Sequence, residues 1–252
     1  MQHSGECVVR FVILNAPRTG SNYLCTVLNS HPDILCHHEI FNPHVVGVAR
    51  HLQQSGVVLG TIEERERDPH EFLDRVWGTP MGRTYVGFKL CWRQHPIALN
   101  SVLADAGVRK IVLKRRNPVK SFVSLLLARQ TGEWVIYDDG PRPAPRPRIE
   151  VDVASMRETI AFNESYYREI ETTLAASGQT HLELFYEQLF SRDGREAILE
   201  FLGLPAGTEA SMAGQSWKLT PASLSEVIAN FDEVGAALRG TELEAHLYSQ
   251  AY

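Results

Sequence analysis

The chain has 252 residues, of which 44% are hydrophobic and 22% charged, with 25 Lys and Arg against 30 Asp and Glu. A chain of this length buries enough apolar surface to need neither a metal nor disulfides for its core, and one domain over residues 1–252 is expected. The formal net charge of −5 argues against nonspecific binding to nucleic acid or to an anionic membrane. Any anion site must therefore be local.

The cysteines and the amino-terminal segment indicate no special compartment. No spacing forms a CxxC pair or a zinc-ligand pattern, so reduced thiols are expected at Cys7, Cys25, Cys36 and Cys91. The apolar run at residues 8–14 is far too short to cross a membrane, and no signal-peptide pattern accompanies it. The sequence therefore predicts a cytoplasmic protein without a membrane span.

Short apolar segments rich in β-branched residues recur along the chain. They predict strands at residues 8–14, 34–36, 85–90, 110–113 and 182–186. Helical patterns lie between them, the longest at residues 153–177, 195–202 and 222–238. This alternation predicts an α/β fold, a three-layer sandwich in which a central, mainly parallel sheet is covered by helices.

Local signals refine this outline. A capping residue followed by proline predicts helix starts at Asp68–Pro69, Asn117–Pro118 and Thr220–Pro221. Residues 138–149 hold four Pro and three Arg without an apolar period, which predicts an exposed, partly extended loop. This loop is either a linker or a mobile lid that carries basic residues.

The loop after the first strand has the parts of an anion cradle. It offers Arg18, the hydroxyls of Thr19 and Ser21, and the backbone N–H groups that open a helix. Gly20 lets the backbone approach an anion closely, and Arg18 adds a fork of donors. The loop resembles the GxxxxGK[ST] loop of nucleotide triphosphatases, but Asn15 replaces its first Gly and Ser21 stands in place of its Lys.

A second cluster favours the same kind of ligand. Residues 109–124 contain six basic residues and no acidic one. Arg116 follows a strand, and Ser124 lies two turns into the next helix, so the two side chains are placed to meet one anion. The alternative is a solvated basic face.

Together the two clusters resemble a known family. PRTGSNYL and RNPVKSFVS resemble the 5′-phosphosulfate loop and the 3′-phosphate motif of sulfotransferases that use 3′-phosphoadenosine 5′-phosphosulfate (PAPS). FYEQL, ILEFLGLP and residues 218–241 resemble the carboxyl-terminal region of that family. The resemblance runs over nearly the whole chain and looks closest to bacterial carbohydrate sulfotransferases of the nodulation-factor and trehalose type.

This resemblance implies a donor and the residues that bind it. The donor is PAPS and the product is 3′-phosphoadenosine 5′-phosphate (PAP). In the family an Arg and a Ser eight residues later hold the 3′-phosphate, a spacing that Arg116 and Ser124 have. The donor-binding residues implied in this chain are Arg18, Thr19, Gly20, Ser21, Asn22, Tyr23, Arg116, Ser124 and Lys218.

The resemblance also implies a catalytic set. A Glu just after the second strand is the base in the carbohydrate branch, and Glu39 in HHEIFNP holds that position. A hydroxyl is a poor nucleophile, so such a base must accept its proton. Arg18 is placed to stabilise charge on the leaving phosphate, and Lys89, at a strand end, aims at the same oxygens. The implied activity is in-line sulfuryl transfer to a hydroxyl of a carbohydrate, glycolipid or secondary metabolite.

Four histidines near Glu39 raise the question of a metal. They are His31, His37, His38 and His44. Neighbouring residues on a strand point to opposite faces, and no second cluster supplies the missing ligands, so no metal is predicted. His37 or His38 stays an alternative or auxiliary base. His95, before Pro96, is predicted to open a helix rather than to take part in catalysis.

Two other classes of function stay open. One is a kinase or nucleotide triphosphatase built on the related loop, and the other is a binding protein that keeps the nucleotide site without catalysis. The aromatic residues divide in the same way between structure and function. Phe162, Tyr166 and Tyr167 have core spacing, whereas Trp92 and Trp134 are candidates for stacking on adenine or lining the acceptor pocket.

Overall fold

The structure, a computed structural model, describes residues 8–53, 55–209 and 212–250. Its centre is a five-stranded sheet with the order β2-β3-β1-β4-β5, and every neighbouring pair is parallel. The strands are β1 (Val9–Asn15), β2 (Ile34–His37), β3 (Tyr85–Cys91), β4 (Val108–Lys114) and β5 (Leu182–Phe185). The predicted α/β class and parallel sheet are confirmed.

Helices connect the strands, as parallel pairing requires. They are α1 (Ser21–Asn29), α2 (Arg50–Gln53), α3 (Ile62–Arg67), α4 (Pro69–Trp77), α5 (Pro96–Ala104), α6 (Pro118–Thr131), α7 (Val153–Ala176), α8 (Arg192–Leu202), α9 (Phe231–Leu238) and α10 (Glu242–Tyr248). Two predicted starts are confirmed, since Asp68 caps α4 and Asn117 caps α6. His95 caps α5 by accepting from the Ala98 N–H, as predicted.

The alternation of side chains on β1 explains the layers. Phe11 and Ile13 pack in one core with residues of α1 and α8. Val12 and Leu14, on the opposite face, pack in a second core with residues of α4, α5 and α7. A strand buried on both faces must be apolar almost throughout, which is the pattern that the sequence shows at residues 11–14.

The connections leave a crevice at the carboxyl edge of the sheet. From β1 the chain passes through α1 to β2, beyond β3, whereas β4 lies on the other side of β1 and leads away to β5. Ligands of open α/β sheets bind where the connections diverge in this way. Both basic clusters predicted from the sequence, at the ends of β1 and β4, flank this point.

The predicted helix at residues 222–238 is wrong over its first half. Leu224–Glu226 forms only a short 3₁₀ turn, and the helix α9 begins at Phe231, so Thr220 and Pro221 open no helix. The backbone instead pairs with residue 149: Ile149 N–H donates to Val227 O at 2.7 Å, and Ala229 N–H donates to Ile149 O at 2.7 Å. This pairing uses groups that a helix would have used within itself.

The Pro/Arg-rich segment contains no helix or strand between residues 138 and 148, and most of its side chains are exposed. Several contacts tie it to the rest of the chain, and one of them is the hydrogen bond that Arg148 donates to Ile228 O at 2.7 Å. Arg50 donates to both carboxylate oxygens of Asp139, and Arg146 pairs with Glu133. The prediction of an exposed loop is confirmed, and its role as linker or lid stays open.

Two further predictions meet the described residues. Cys25, Cys36 and Cys91 are free and buried, whereas Cys7 lies outside the described residues. None of the helices in the described ranges is long and apolar enough to cross a membrane.

Candidate active site

The loop between β1 and α1 has a backbone built around two left-handed residues. Arg18 has φ 65° and Gly20 has φ 85°. Left-handed backbone strains a residue other than glycine, and such strain is concentrated at functional sites. No side chain caps α1, so the positive end of its dipole opens on this loop. The predicted anion cradle therefore has the required backbone.

Side chains hold the loop in this conformation. The Thr19 hydroxyl donates to Ala16 O at 2.9 Å, and the Ala16 N–H donates to the Tyr167 hydroxyl at 2.8 Å. The Tyr167 hydroxyl in turn donates to Leu113 O at 2.7 Å, which connects the loop to β4. Tyr167 was expected only to pack, and this bridge is a role that helical spacing does not reveal.

A cavity of about 680 Å³ opens beside the loop at the carboxyl edge of the sheet. Seven of the predicted donor-binding residues line it together, whereas Thr19 and Arg116 do not; the seven are Arg18, Gly20, Ser21, Asn22, Tyr23, Ser124 and Lys218. Lys218 lines it from the segment after α8, and Glu39 and Lys89 line it from the ends of β2 and β3. Residues distant in the sequence thus meet in one cleft.

Several cations line this cavity, and two of them, Arg18 and Arg115, are in contact. Arg18 donates through Nε to the Ser124 hydroxyl at 2.9 Å, and Arg115 donates to Arg18 O at 3.3 Å. Burial, followed by the charges of Arg115 and Arg146, lowers the pKa of Arg18 to about 10. Burial and the nearby Arg115 also lower the pKa of Lys218. Cations that crowd and desolvate one another in this way favour an anion between them.

The structure separates the two arginines at the end of β4. Arg115 lines the cavity with Ser124, and its guanidinium lies 4.7 Å from the centre of the Tyr186 ring. Arg116 is exposed, and its guanidinium lies 4.3 Å from the centre of the Phe185 ring. Arg115 therefore lines the cavity together with Ser124 and Arg116 does not, and the role of Arg116 at the 3′-phosphate stays a prediction.

An ion pair also lines the cavity. Glu39 Oε1 lies 2.8 Å from Lys89 Nζ, and Lys89 also donates to Asn22 Oδ1 at 2.5 Å. The Lys89 side chain is 3% exposed, so its charge depends on these partners. Burial lowers the pKa of Lys89, but the attraction of Glu39 and Cys25 outweighs this and raises it. Lys89 thus connects the predicted base to the predicted donor loop.

Two amides hold the other oxygen of Glu39. Its Oε2 accepts from Gln94 Nε2 at 2.7 Å and from Asn42 Nδ2 at 2.9 Å. Burial raises the pKa of Glu39, but Lys89 and these hydrogen bonds outweigh it and lower the pKa to about 2. The carboxylate is therefore ionised and oriented before any substrate enters.

His37 and His38 differ in their position relative to the cavity. His37 is fully buried, and its Nδ1 accepts from the Ala49 N–H at 3.2 Å; burial, followed by the charge of His38, lowers its pKa to about 4. His38 lines the cavity beside Glu39. Within the described residues, no group of three or more His, Cys, Asp or Glu is arranged to hold a metal ion.

The two tryptophans considered for stacking both line the cavity. Trp134 is half exposed, and its carbonyl accepts from Arg18 Nη1 at 2.6 Å. Trp92 packs edge-on against Phe162, with ring centroids 4.3 Å apart.

Four residues of the site were not predicted from the sequence: Arg115, Asn42, Gln94 and Tyr186. Only Arg115 lies in a pattern that indicated an anion site, the basic run at residues 109–124.

The protein thus has an α/β fold with its cavity at the carboxyl edge of a parallel sheet. The cavity combines an uncapped helix start and crowded cations, which suit an anionic ligand, with an ion-paired carboxylate. No family model matches the sequence. The chain is 27% identical over 240 residues to nodulation protein H of Rhizobium meliloti strain 1021, which covers 93% of each chain. It is 26% identical over 240 residues to nodulation protein H of Rhizobium tropici, covering 93% of this chain and 91% of the relative.

Among solved structures, the crystal structure of mouse sulfotransferase SULT7A1 complexed with PAP is similar over 97% of this chain and 93% of its own, with 15% identity and a TM-score of 0.42. The relationship to nodulation protein H extends over nearly the full length of both chains. It confirms the resemblance to bacterial sulfotransferases of the nodulation-factor type that the sequence motifs carry.

Proposed function

We propose that this protein is a sulfotransferase that moves a sulfuryl group from PAPS to a hydroxyl of a carbohydrate, glycolipid or secondary-metabolite acceptor. One observation carries the proposal: Arg18 and Arg115 line the same cavity as the ion pair of Lys89 and Glu39. The cations fit a nucleotide whose ribose carries phosphate at both the 3′ and the 5′ position. The carboxylate fits an acceptor whose proton must leave.

Different residues of the cavity fit the two charged groups of PAPS, the 5′-phosphosulfate and the 3′-phosphate. The backbone of residues 18–22 and the amino terminus of α1 fit the 5′-phosphosulfate, with Arg18 beside it. Arg115, Ser124 and Lys218 fit the 3′-phosphate, with Arg116 as the candidate that the sequence resemblance implies.

Sulfuryl transfer exchanges one bond between sulfur and oxygen for another. The acceptor oxygen forms a bond to sulfur while the bond from sulfur to the phosphate oxygen breaks, and that oxygen leaves with the electron pair. The acceptor proton passes to Glu39. Arg18 and Lys89 stabilise the charge that develops on the leaving phosphate. Most of the catalysis is positioning and charge stabilisation, as in phosphoryl transfer.

A carboxylate with a pKa of about 2 is a weak base in the free protein. Binding of PAPS changes its surroundings, because the donor brings several negative charges to Lys89 and Arg18. Those charges compete for Lys89 and oppose the ionised form of Glu39, which raises its pKa when the acceptor needs a base. His38 in the cavity wall remains an auxiliary base in this scheme.

The wider setting follows from the same proposal. A PAPS-dependent enzyme of this kind works on a small-molecule or carbohydrate acceptor rather than on nucleic acid, and it is proposed to act in the cytoplasm as one domain over residues 1–252.

Replacing Glu39 by glutamine tests the proposal. Glu39→Gln should leave PAP affinity within about twofold of the wild type while PAPS turnover falls at least a hundredfold, because the amide has nearly the shape of the carboxylate but cannot accept the proton. Urea unfolding checks that the variant stays folded without the charge that faces Lys89. Turnover is followed as PAP released from PAPS with a disaccharide acceptor and with water alone. Glu171→Gln, which removes an ion-paired carboxylate at Lys114, is the control and should keep both properties. Unchanged turnover in Glu39→Gln would exclude Glu39 as the base.

A further inference from the structure

The two oxygens of Glu39 are bound by different kinds of group. Oε2 accepts two hydrogen bonds from neutral amides, at 2.7 Å from Gln94 and 2.9 Å from Asn42. Oε1 contacts the Lys89 ammonium at 2.8 Å. An oxygen with two neutral donors has little remaining capacity to accept, whereas the partner of the other oxygen is a charge that a bound anion attracts.

Each amide is fixed so that it can only donate to Glu39. Gln94 Oε1 accepts from the Cys91 N–H at 3.0 Å, and Asn42 Oδ1 accepts from the His44 N–H at 2.9 Å. A backbone N–H cannot accept, so the carbonyl end of each amide must face it. The NH₂ ends are thereby turned toward the carboxylate. Backbone contacts thus select the rotamers of both amides.

Buried structure holds these amides from two directions. Gln94 lies in the turn after β3, behind Arg93 at φ 51°, and its own N–H donates to Cys91 O at 3.1 Å. Asn42 lies in the turn after Glu39, where its N–H donates to Glu39 O at 3.1 Å. Arg65 of α3, only 1% exposed, donates to both Ile40 O and Asn42 O at 2.8 Å. These contacts leave the Glu39 side chain little freedom.

We propose that Gln94 and Asn42 are positioning residues for the sulfuryl transfer: they hold Oε2 of Glu39, so that Oε1 is the oxygen that takes the proton of the acceptor. This inference rests on the proposed role of Glu39 as the base. It assigns the residues no contact with substrate. Their effect is to fix which oxygen, in which direction, meets the acceptor hydroxyl.

The variants Gln94→Ala, Asn42→Ala and their combination test this assignment. Each single variant should lower the turnover of PAPS with a disaccharide acceptor about tenfold, and the double variant further, while PAP affinity stays within about twofold. Gln94→Asn, which keeps the amide but shortens its reach, should recover only part of the turnover. Gln179→Ala is the matched control, since the Gln179 amide also accepts from Lys110 and donates to Leu103 O and to the Ser177 hydroxyl, but does not line the cavity.

A second readout needs no acceptor and separates positioning from folding. Carbon-13 NMR of labelled glutamate follows the Glu39 carboxyl from pH 3 to pH 7, with Glu39→Gln identifying its signal. Loss of either amide removes a group that favours the ionised form, so Glu39 should start to titrate at higher pH than in the wild type. Gln179→Ala should not move this titration.

The outcomes are distinct. If the double variant titrates as the wild type does and loses no more turnover than Gln179→Ala, the positioning role is wrong although Glu39 can still be the base. If Glu39→Gln itself keeps full turnover, the proposed function of Glu39 is wrong and the positioning proposal falls with it. A loss of PAP affinity in the amide variants would also overturn the proposal, because it would place them in donor binding.

Discussion

Glu39 shows how one side chain is prepared by its neighbours. In the folded protein its pKa is about 2, below the value of 4.5 expected for an unperturbed Glu. Its interactions therefore stabilise the fold fully above pH 4.5, and this contribution is lost as the pH falls toward 2. The sequence predicted the residue, but its partners Asn42 and Gln94 lie in loops without periodic pattern and became visible only in the structure.

Lys89→Met should move the acid limb of the pH profile. The wild type should show no loss of kcat/KM from Glu39 protonation above about pH 4, because the free-enzyme pKa is about 2. Without Lys89, burial raises this pKa unopposed, and the limb should appear above pH 4.5. The measurement is kcat/KM for PAPS, followed as PAP release, between pH 4 and pH 9.

Stability must be followed in the same variant. Removing one partner of a buried ion pair costs about 3 kcal/mol, so urea unfolding should first establish that Lys89→Met is folded under assay conditions. Lys114→Met is the control, because Lys114 also pairs with carboxylates, at Glu171 and Glu183, but does not line the cavity. A profile of wild-type shape in Lys89→Met would show that Lys89 does not set the pKa of Glu39.

The neighbouring residues Arg115 and Arg116 give a direct comparison at the 3′-phosphate. The structure predicts that Arg115→Ala weakens PAP binding by at least tenfold and AMP binding much less, since only PAP carries the 3′-phosphate. Arg116→Ala should change PAP affinity less than Arg115→Ala does. Calorimetric titration measures both affinities. The reverse order would show that Arg116 reaches the phosphate, as the sequence resemblance implies.

At the scale of elements, the strands and two of the three expected helix starts could be predicted from the sequence, but the structure of residues 220–230 could not. The apolar runs and the Asp68 and Asn117 caps depend on local chemistry, so the sequence located them within a few residues. Residues 222–230 carry helical spacing too, but their backbone pairs with Ile149, about 80 positions earlier. Arg115 and Arg116 differ for a related reason: β4 ends at Lys114, and the turn after it decides which guanidinium enters the cavity.

The start of α1 depends on a close approach that only glycine permits. A Cβ on Gly20 would lie 2.2 Å from the Tyr186 ring, and φ 85° is unfavourable for any other residue. Gly20→Ala should therefore lower the free energy of unfolding by about 2 kcal/mol or more and weaken PAP binding. Urea unfolding and calorimetric titration measure these effects.

Gly56 supplies the comparison for that variant. Its φ is 73°, yet no atom lies within 4 Å of the Cβ that alanine would add. Gly56→Ala should show the cost of the backbone angle alone, about 1 kcal/mol, with unchanged PAP affinity. Equal effects of the two substitutions on PAP binding would contradict the assigned contact between the cradle and Tyr186.

For the whole molecule, the divergence of connections at β1 brings the two basic clusters and the Glu39 turn to one cleft. The sequence predicted this meeting, because the carboxyl ends of parallel strands share an edge. Arg18, Arg115 and Lys218 line this cleft in a protein of net charge −5, so binding of an anionic nucleotide should weaken as salt increases. Fold and charge therefore make the same prediction about where the donor binds.

Calorimetric titration of the protein with PAP, with AMP and ATP as comparison ligands, measures whether the cavity selects a nucleotide with a 3′-phosphate. We expect micromolar affinity for PAP and at least tenfold weaker binding of AMP, because the cations at Arg115 and Lys218 have no 3′-phosphate to meet in AMP. ATP should also bind more weakly than PAP. Binding of ATP with higher affinity than PAP, or no binding of PAP, would contradict the assignment of this site to a sulfuryl donor.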